Sequence, residues 1–104
     1  MNISVGGMLT FVTPKFNVKR VTQDYEADDR DCILVGAYEK DVKITLPVAS
    51  NGAEIYIKKI DPTANMVWVL SRDPSHIEDN VYITLKSQYE SVHLISDGNN
   101  WFLV

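Results

Sequence analysis

The sequence predicts an all-β fold, a small antiparallel, jelly-roll-like β-sandwich with an extended N-terminal arm. Apolar residues recur at every second position in several short segments, as a strand with one buried face requires. Turn residues separate these segments at intervals of about 8 to 12 residues, and no segment has a helical period of 3.6 residues. A chain of 104 residues is one domain with a single core. We divide it into an arm, residues 1–22, and a sandwich, residues 23–104.

The first half of the chain supplies three predicted strands. Residues 17–22 alternate around a charged pair, and residues 32–35 form an apolar run that we expect to be buried on both faces. Residues 42–46 alternate without a break, and Pro47 ends that strand because proline cannot donate to a ladder. Residues 24–31 are strongly acidic. A calcium loop would need a glycine turn there, so a solvated loop is favoured over a calcium site.

The centre of the predicted fold is a hairpin over residues 54–70. Apolar β-branched residues alternate at Ile55 and Ile57 before its turn. The same alternation resumes at Val67 and Val69 after the turn. An Asp-Pro pair and an asparagine lie between the two runs and favour a chain reversal, because proline sets φ and asparagine tolerates the left-handed region. The two runs are therefore expected to pair as neighbouring strands.

The last part of the chain supplies a further strand and a closing hairpin. Residues 81–85 alternate, and residues 88–96 and 100–104 flank the turn Asp97-Gly98-Asn99. The Asp-Gly pair readily adopts positive φ, as a tight hairpin turn needs. These last two strands are therefore predicted to pair with each other.

Composition and charge exclude several classes of protein. The net charge of −4 and the pI near 5.0 argue against a nucleic-acid partner, because binding to phosphates needs a basic surface. The longest apolar run, Met66–Leu70, is far shorter than the roughly 20 residues that span a bilayer, so no membrane partner is expected. No secretion signal is evident, and we expect the chain to fold in a cytoplasm. Cys32, the only cysteine, cannot form an internal disulfide and is expected to be a buried small hydrophobe.

No catalytic or metal-binding pattern stands out in the sequence. It has no glycine-rich phosphate loop and no nucleophile elbow. His76 and His93 are the only histidines, and they lack the close spacing of paired metal ligands. Turns and solvated rims explain the carboxylates better than an acid–base pair does. We therefore expect a protein without enzymatic activity, metal or cofactor.

Two stretches are distinctive enough to suggest a family. Residues 57–61 read Ile-Lys-Lys-Ile-Asp, with Asn65 shortly after them, and residues 96–101 read Ser-Asp-Gly-Asn-Asn-Trp. With the strands around them, they resemble a β-module of tailed-bacteriophage virion proteins, which is found in tail fibres, tailspikes and small capsid-decorating proteins. The resemblance covers roughly residues 31–104. It departs at residues 77–80, Ile-Glu-Asp-Asn, where the family usually has Ile-Asp-Gly.

The resemblance implies an all-β module that commonly associates as a homotrimer on the virion surface. We therefore expect a homotrimeric capsid decoration (cement) protein, assembled in the host bacterial cytoplasm and bound to the outside of the phage head. Its partner there is the major capsid protein or another virion protein. The lack of a stalk favours decoration over a fibre. The alternatives are a tail fibre, tailspike or minor tail component, and a receptor-binding module in which Tyr38, Tyr82 or Tyr89 hold a host surface glycan.

One group of residues is expected to form the trimer interface. If the two valines after the central turn point to the core, then Met66, Trp68 and Leu70 stand on the opposite face of the strand. Three large apolar residues on an otherwise wet face indicate an interface, where aromatic residues and methionine are enriched. Phe102, near the C-terminus, is likewise either a residue of the trimer interface or a residue covered within its own subunit. The alternative is that a single subunit covers both faces.

The N-terminal arm, residues 1–22, is expected to anchor the protein to the capsid. It matches nothing general in the phage family, and it combines apolar side chains that lack a period with basic residues, whereas acidic residues begin only at Asp24. Such an arm suits ordering on a shell surface, where buried apolar contact offsets its entropy cost. The alternative is an arm that adds a strand to its own sandwich. The predicted anchoring residues are Met8, Leu9, Phe11, Lys15, Phe16, Lys19 and Arg20.

Overall fold

The computed structural model describes residues 15–104 and confirms the expected all-β class. Within that range the chain forms nine strands and no helix, and so no helix able to cross a membrane. Most strands lie where alternation predicted them, because aliphatic residues at every second position suit a strand with one buried face. The strands are β1 (Asn17–Val21), β2 (Tyr25–Glu26), β3 (Asp31–Val35), β4 (Val42–Thr45), β5 (Glu54–Lys59), β6 (Val67–Leu70), β7 (Tyr82–Leu85), β8 (Ser91–Ser96) and β9 (Trp101–Leu103).

The strands form two sheets, and the chain crosses repeatedly between them. One sheet has five strands in the order β1-β3-β5-β8-β9, and the other has four in the order β2-β4-β6-β7. Through β6 the strands alternate between the sheets, and each from β3 onward lies parallel to the strand two places earlier in the chain. We name each successive pair a rung: β1 with β2, β3 with β4, and β5 with β6. The three rungs therefore form a parallel stack.

The remaining strands close one end of this stack with antiparallel pairs. β7 pairs with β6, β8 pairs with β5, and β9 pairs with β8. The predicted closing hairpin of β8 and β9 is therefore confirmed, and Gly98 in its turn has a φ of +100°. Asp97 Oδ1 accepts hydrogen bonds from the backbone N–H groups of Asn99 and Asn100, both at 2.9 Å, and these bonds hold the turn.

The expected antiparallel arrangement is wrong for the pairs that β1 to β6 form with one another. β5 and β6 lie in different sheets, so residues 54–70 do not form the predicted hairpin. The residues between them cross from one sheet to the other, and Asp61 is buried within this crossing rather than exposed at a turn. Parallel pairing also excludes the antiparallel connectivity of a jelly roll. Alternation specifies which face of a strand is buried but not which strand lies beside it, so the sequence pattern could not select the partner.

The core lies between the two sheets and consists of inward residues from every rung. In the five-stranded sheet Ile33 of β3 pairs with Ile57 of β5, and both side chains are fully buried. Trp101 of β9 is the largest buried side chain, and its Nε1–H donates to the carbonyl of Pro47 at 3.2 Å. Full burial of an aliphatic side chain such as Ile33 or Ile57 contributes roughly 1.5 to 3 kcal/mol to the stability of the fold. The core therefore joins the rungs to the closing hairpin.

The predicted boundary between arm and sandwich does not hold for β1. This strand pairs with β3 along its whole length, from Asn17 with Asp31 to Val21 with Val35. Residues 17–21 therefore belong to the sheet, which fits the alternative of a strand added to the chain's own fold. The predicted anchoring residues Met8, Leu9 and Phe11 lie outside the described residues.

Two smaller expectations are also corrected. The acidic segment 24–31 is not a continuous loop, because Tyr25–Glu26 forms β2 beside β4. Cys32 is half-buried on the outward face of β3 and not in the core. Alternation along β3 places Ile33 and Val35 inward instead, so the run is buried on one face only.

Candidate interaction surfaces

Each sheet has an inward face that builds the core and an outward face toward solvent. Both outward faces carry aromatic and aliphatic side chains that are only partly covered. Apolar patches on a sheet surface usually mark contact sites, because the solvent-facing side of a sheet is ordinarily polar. We name the two surfaces by their central residues. The Trp68 face holds Met66, Trp68, Leu70 and Tyr82, and the Tyr56 face holds Phe16, Tyr56, His93, Ile95 and Phe102.

The Trp68 face has an aromatic pair at its centre. Val67 and Val69 are fully buried, whereas Trp68 and Leu70 are half-buried and point outward, as the alternation predicted. The rings of Trp68 and Tyr82 lie with their centroids 5.0 Å apart. Tyr82, on β7, has 48% of its surface exposed. The pair thus spans two neighbouring strands and presents a wide apolar surface.

A carboxylate holds the indole of this face in place. Asp41 accepts hydrogen bonds from the backbone N–H of Met66 at 2.8 Å and from Nε1–H of Trp68 at 3.1 Å. The bond from Met66, followed by that from Trp68, lowers the pKa of Asp41, because both stabilise the charged carboxylate. The indole is therefore held in one orientation by a contact within the chain itself.

A shallow polar cleft lies beside the Trp68 face, at the β2 edge of the four-stranded sheet. Its volume is about 220 Å³. Backbone and side chain meet at its rim, where Asp24 Oδ1 accepts a hydrogen bond from the N–H of Lys43 at 2.9 Å. The mixture of carboxylates, a lysine and a hydroxyl suits a small hydroxylated molecule. The cleft is lined by Asp24, Tyr25, Glu26, Lys43, Thr45 and Leu70.

The Tyr56 face carries an aromatic cluster that alternation alone did not bring together. Tyr56 stacks on the imidazole of His93 with centroids 4.1 Å apart, and Phe16 meets Tyr56 edge-on at 5.0 Å. The guanidinium of Arg30 lies 4.1 Å from the centre of the Phe16 ring. Glu54 contacts both Arg30 and His93. In the sequence, the outward position of Tyr56 between two inward isoleucines indicates an exposed aromatic residue. It does not indicate the cluster, because the residues that contact Tyr56 are distant in the chain.

The predicted interface residues are divided between the two faces. Met66, Trp68 and Leu70 are brought together on one sheet. Phe102 lies on β9 of the other sheet, where it pairs with Ile95 and is 38% exposed. The core separates the two groups, so they do not form one continuous patch on a single subunit.

Four of the predicted anchoring residues lie within the described range. They differ in whether their side chains contact other residues of the chain or are exposed. Lys15 and Arg20 are exposed. Phe16 belongs to the aromatic cluster of the Tyr56 face. Lys19 donates to the hydroxyl of Tyr25 at 2.6 Å, and its Nζ lies 3.2 Å from Asp31 Oδ1. Two of the four side chains are therefore engaged by the chain's own residues, and two remain at the surface.

The distinctive Ile-Lys-Lys-Ile-Asp motif contains a buried ion pair. Lys59 Nζ lies 2.6 Å from Asp61 Oδ2, and neither side chain has exposed surface. Lys59 also donates to the carbonyls of Asp61 and Thr63, both at 2.9 Å. Asp61 accepts further hydrogen bonds from the N–H of Ala37, at 2.7 Å, and from the N–H and hydroxyl of Thr63. The motif therefore joins the crossing of the third rung to that of the second.

These hydrogen bonds determine the charge state of Asp61. Burial by itself raises the pKa of this carboxyl. The hydrogen bonds from Lys59, from Thr63 and from the N–H of Ala37 outweigh burial and lower the pKa from 3.8 to about 2. The carboxylate therefore stays charged and fully paired at neutral pH, and its hydrogen bonds stabilise the crossing.

The second distinctive motif, residues 96–101, is structural as well. Ser96 Oγ accepts a hydrogen bond from the N–H of Gly98 at 3.0 Å, inside the turn. Asn100 Oδ1 accepts one from the backbone N–H of His76 at 2.9 Å and so ties the preceding loop to the hairpin. Trp101 then enters the core. Each polar residue named here has a partner within the fold.

Among residues 15–104, no three or more His, Cys, Asp or Glu side chains are grouped so that they could hold a metal ion. His93 contacts Glu54 and Tyr56 instead. The two outward faces are the candidate interaction surfaces of this part of the chain, because each carries partly exposed aromatic and aliphatic side chains.

No known protein-family model matches this chain, and a search of curated protein sequences finds no significant match. The phage resemblance therefore depends on the motifs quoted from the sequence. The structural roles of both motifs explain why they are suited to this fold.

Proposed function

We propose that this chain is a structural protein of a tailed bacteriophage, a homotrimeric capsid decoration (cement) protein. It binds the outside of the head and stabilises the shell by bridging neighbouring capsomers. Its partners are further copies of itself and the major capsid protein or another virion protein. It works without enzymatic activity, metal or cofactor. The resemblance of residues 31–104 to the phage module supports this proposal.

The observation that carries the proposal is that both outward faces of a small domain are partly apolar. A cyclic trimer uses two different surfaces of each subunit, because every subunit contacts two neighbours. In the proposed trimer the Trp68 face of one subunit meets the Tyr56 face of the next, with successive subunits related by a rotation of about 120° so that the ring closes. In that arrangement Met66, Trp68, Leu70 and Phe102 are all interface residues, although they lie on opposite sheets.

We place the capsid contact at the N-terminal end of the chain. Lys15 and Arg20 are exposed beside the first rung, and the predicted apolar anchors precede them in the sequence. Phe16 and Lys19 belong to the same region but are held by contacts within the chain. Their part in anchoring is thus to position the segment that reaches the shell.

A second candidate is a receptor-binding module that holds a host surface glycan. The aromatic pair of Trp68 and Tyr82 beside the polar cleft favours it. Aromatic rings supply an apolar platform for a sugar, and the cleft's carboxylates and Lys43 supply hydrogen-bonding groups for its hydroxyls. This function needs a free Trp68 face, so it competes with trimer formation through the same surface.

Multi-angle light scattering of the parent and of Trp68→Glu tests the trimer. We expect a trimer for the parent and smaller species for the variant, because a charge in a desolvated contact costs on the order of several kcal/mol per subunit. Val48→Glu is the matched control, since Val48 is an exposed apolar residue outside both faces. A monomeric parent, or a trimer that survives Trp68→Glu, contradicts this arrangement.

Binding to purified phage heads that lack decoration separates the two functions. Saturable binding to heads, together with no hit in a glycan screen, supports the decoration protein. A glycan hit that is lost in Tyr82→Ala, without any binding to heads, supports the receptor-binding module instead and overturns the decoration proposal.

A further inference from the structure

Three residues other than glycine have a positive backbone φ among residues 15–104: Arg30 at +72°, Glu78 at +54° and Tyr89 at +68°. This region is unfavourable for residues with side chains, and a bulky residue there is an outlier. The side chain of Arg30 pairs with Glu54 at 3.5 Å. That of Glu78 accepts a hydrogen bond from the N–H of Leu103 at 3.2 Å. Tyr89 differs from both, because 61% of its surface is exposed.

Tyr89 lies in a β-bulge at the end of the pairing between β5 and β8. Its N–H donates to the carbonyl of Lys59 at 2.7 Å, and the N–H of Lys59 donates to the carbonyl of Glu90 at 3.0 Å. Two residues of one strand end therefore face a single residue of the other, which defines a bulge. Where the first bulge residue has a positive φ, it is ordinarily glycine.

The turn before β8 favours glycine at the same position. The N–H of Glu90 donates to the carbonyl of Ser87 at 3.1 Å, so Tyr89 is the third residue of a four-residue turn. A positive φ at that position is typical of glycine. Glycine would also make both backbone hydrogen bonds of the bulge, so the bulge itself does not require the tyrosine ring. Strain of this kind occurs mainly at residues whose side chains have a function, and bulges often redirect such a side chain.

The ring of Tyr89 lies beside the Tyr56 face. Lys58 of β5 is two residues from Tyr56 and therefore points to the same outward side of the sheet. The Nζ atom of Lys58 lies 5.6 Å from the centre of the Tyr89 ring, a distance at which a cation is attracted to an aromatic ring. Tyr89 thus adds an exposed ring at the Lys58 edge of the Tyr56 face.

We propose that Tyr89 is a contact residue that extends the Tyr56 face, and that it binds the Trp68 face of a second copy of this chain. This inference rests on the proposed trimer, in which the two faces meet. It adds that the residue acts in association rather than in folding, because its backbone conformation lowers the stability of the single chain.

The Trp68 face has chemical groups that suit such a contact. Its aromatic pair, Trp68 and Tyr82, offers rings against which a further ring packs favourably. Asp41, which holds the indole, is a carboxylate of opposite charge to Lys58, and opposite charges across an interface favour one partner surface over others. Tyrosine and tryptophan are also enriched among the residues that contribute most to interface affinity.

Tyr89→Gly separates a contact role from a structural one. Mass photometry over a dilution series measures the concentration at which the trimer dissociates. We expect this concentration to rise at least about tenfold in Tyr89→Gly and to stay near that of the parent in Tyr89→Phe, which keeps the ring. Tyr38→Ala is the matched control, because Tyr38 is an exposed tyrosine outside both faces, and it should leave dissociation unchanged.

The stability of the single chain is measured in the Trp68→Glu background, where association is weakened. Adding Tyr89→Gly should leave the urea midpoint equal or raise it, because glycine adopts a positive φ without strain. Adding Tyr89→Ala instead should give a lower midpoint than glycine does, because alanine keeps the strain.

A trimeric parent whose dissociation is unchanged by Tyr89→Gly overturns this inference and leaves the proposed trimer standing. Equal weakening by Tyr38→Ala also counts against it, because the effect then belongs to the loss of any exposed tyrosine. A lower urea midpoint in Tyr89→Gly than in its background overturns it as well, since the ring then stabilises its own chain. A monomeric parent overturns the trimer and this inference together.

Discussion

Two lysine–aspartate pairs stabilise different levels of the stack, and they differ in enclosure. Lys59 and Asp61 lie at the crossing of the third rung with no exposed side-chain surface, and Nζ is 2.6 Å from Oδ2. Lys19 and Asp31 belong to the first and second rungs, at the end of the stack that β1 and β2 form. Asp31 is fully buried there, but 38% of the Lys19 side chain is exposed, and the closest N···O distance is 3.2 Å.

The difference follows from what covers each pair. The third rung has the second rung on one side and the segment before β8 on the other, where the N–H of Lys59 donates to the carbonyl of Glu90 at 3.0 Å. The first rung has a described neighbour on one side only. Within residues 15–104, Asp31 Oδ1 has no hydrogen-bond donor placed to bond it, and its closest charge is Lys19 Nζ at 3.2 Å. An ion pair is thus held by directed hydrogen bonds inside the stack and by partly screened attraction at its end.

Of the changes that test this comparison, Lys59→Met is expected to cause the largest loss of stability. It leaves the carboxylate of Asp61 buried without its cation, at a cost of about 3 to 5 kcal/mol in the free energy of unfolding. Urea unfolding measures the loss. Lys58→Met is the matched control, because Lys58 is the half-buried, outward neighbour whose Nζ lies 5.6 Å from the centre of the Tyr89 ring. Its loss is expected to stay below about 1 kcal/mol. Equal losses in the two variants would break the comparison.

Low pH is expected to have the second-largest effect on stability, because it weakens the buried pair of Lys59 and Asp61. The folded pKa of Asp61, about 2, lies below its ordinary value of 3.8. Its contribution to stability is therefore complete above about pH 4 and is lost as pH falls toward 2, by on the order of 2 kcal/mol. Urea midpoints between pH 7 and pH 2.5 measure this loss. The acid-dependent drop should shrink in Asp61→Asn, and an unchanged drop would assign the acid sensitivity to other carboxyls.

Lys19→Met is expected to destabilise the protein less than Lys59→Met does. Asp31 Oδ2 keeps its hydrogen bonds from the Tyr25 hydroxyl and from the N–H of Asp28. The hydrogen bond to the Tyr25 hydroxyl, followed by the nearby carboxylate of Asp31, raises the pKa of Lys19, so the lysine is charged at neutral pH. Because it is partly exposed, its effect should decrease in about 1 M salt, whereas that of Lys59 should not. A salt response shared by both variants would contradict the assigned difference in enclosure.

Glu26→Gln removes the most exposed of the three ion pairs compared here, the pair of Glu26 and Arg72. Glu26 Oε1 lies 3.1 Å from Arg72 NH2, with 79% of the glutamate side chain and 41% of the arginine side chain exposed. Exposed pairs of this kind contribute little, so we expect a change within about 0.5 kcal/mol by urea unfolding. A larger loss would mean that enclosure does not rank the three pairs.

Local features of the fold were predictable because they depend on a few consecutive residues. The alternation at Ile55 and Ile57 correctly identified an inward face, and the Asp-Gly pair correctly located the closing turn. The predicted hairpin over residues 54–70 was wrong, because a few consecutive residues do not specify which sheet the next strand joins. A polar stretch with Pro62 fits both a turn within one sheet and a crossing between two sheets. Lys59 was not recognised as inward because lysine is rarely buried without a partner.

The candidate surfaces were predictable only in part. Met66, Trp68 and Leu70 share a face because they are two residues apart on one strand, and alternation suffices for that. The Tyr56 face required Phe16, Tyr56 and His93 from three strands or their flanks, so their meeting depends on sheet order. Phe102 was assigned to the same interface as Trp68, but strand pairing places it on the opposite sheet.

By itself the sequence determined the all-β class, the inward residues of most strands and the closing turn, because alternation and turn chemistry act over a few neighbouring residues. Only the tertiary structure decided the parallel stack, the division of the interface residues and the burial of Lys59. Strand partners are selected by contacts between residues far apart in the chain, such as Asp61 with Ala37, 24 positions away. The free energy of such contacts depends on burial and geometry that no short segment contains.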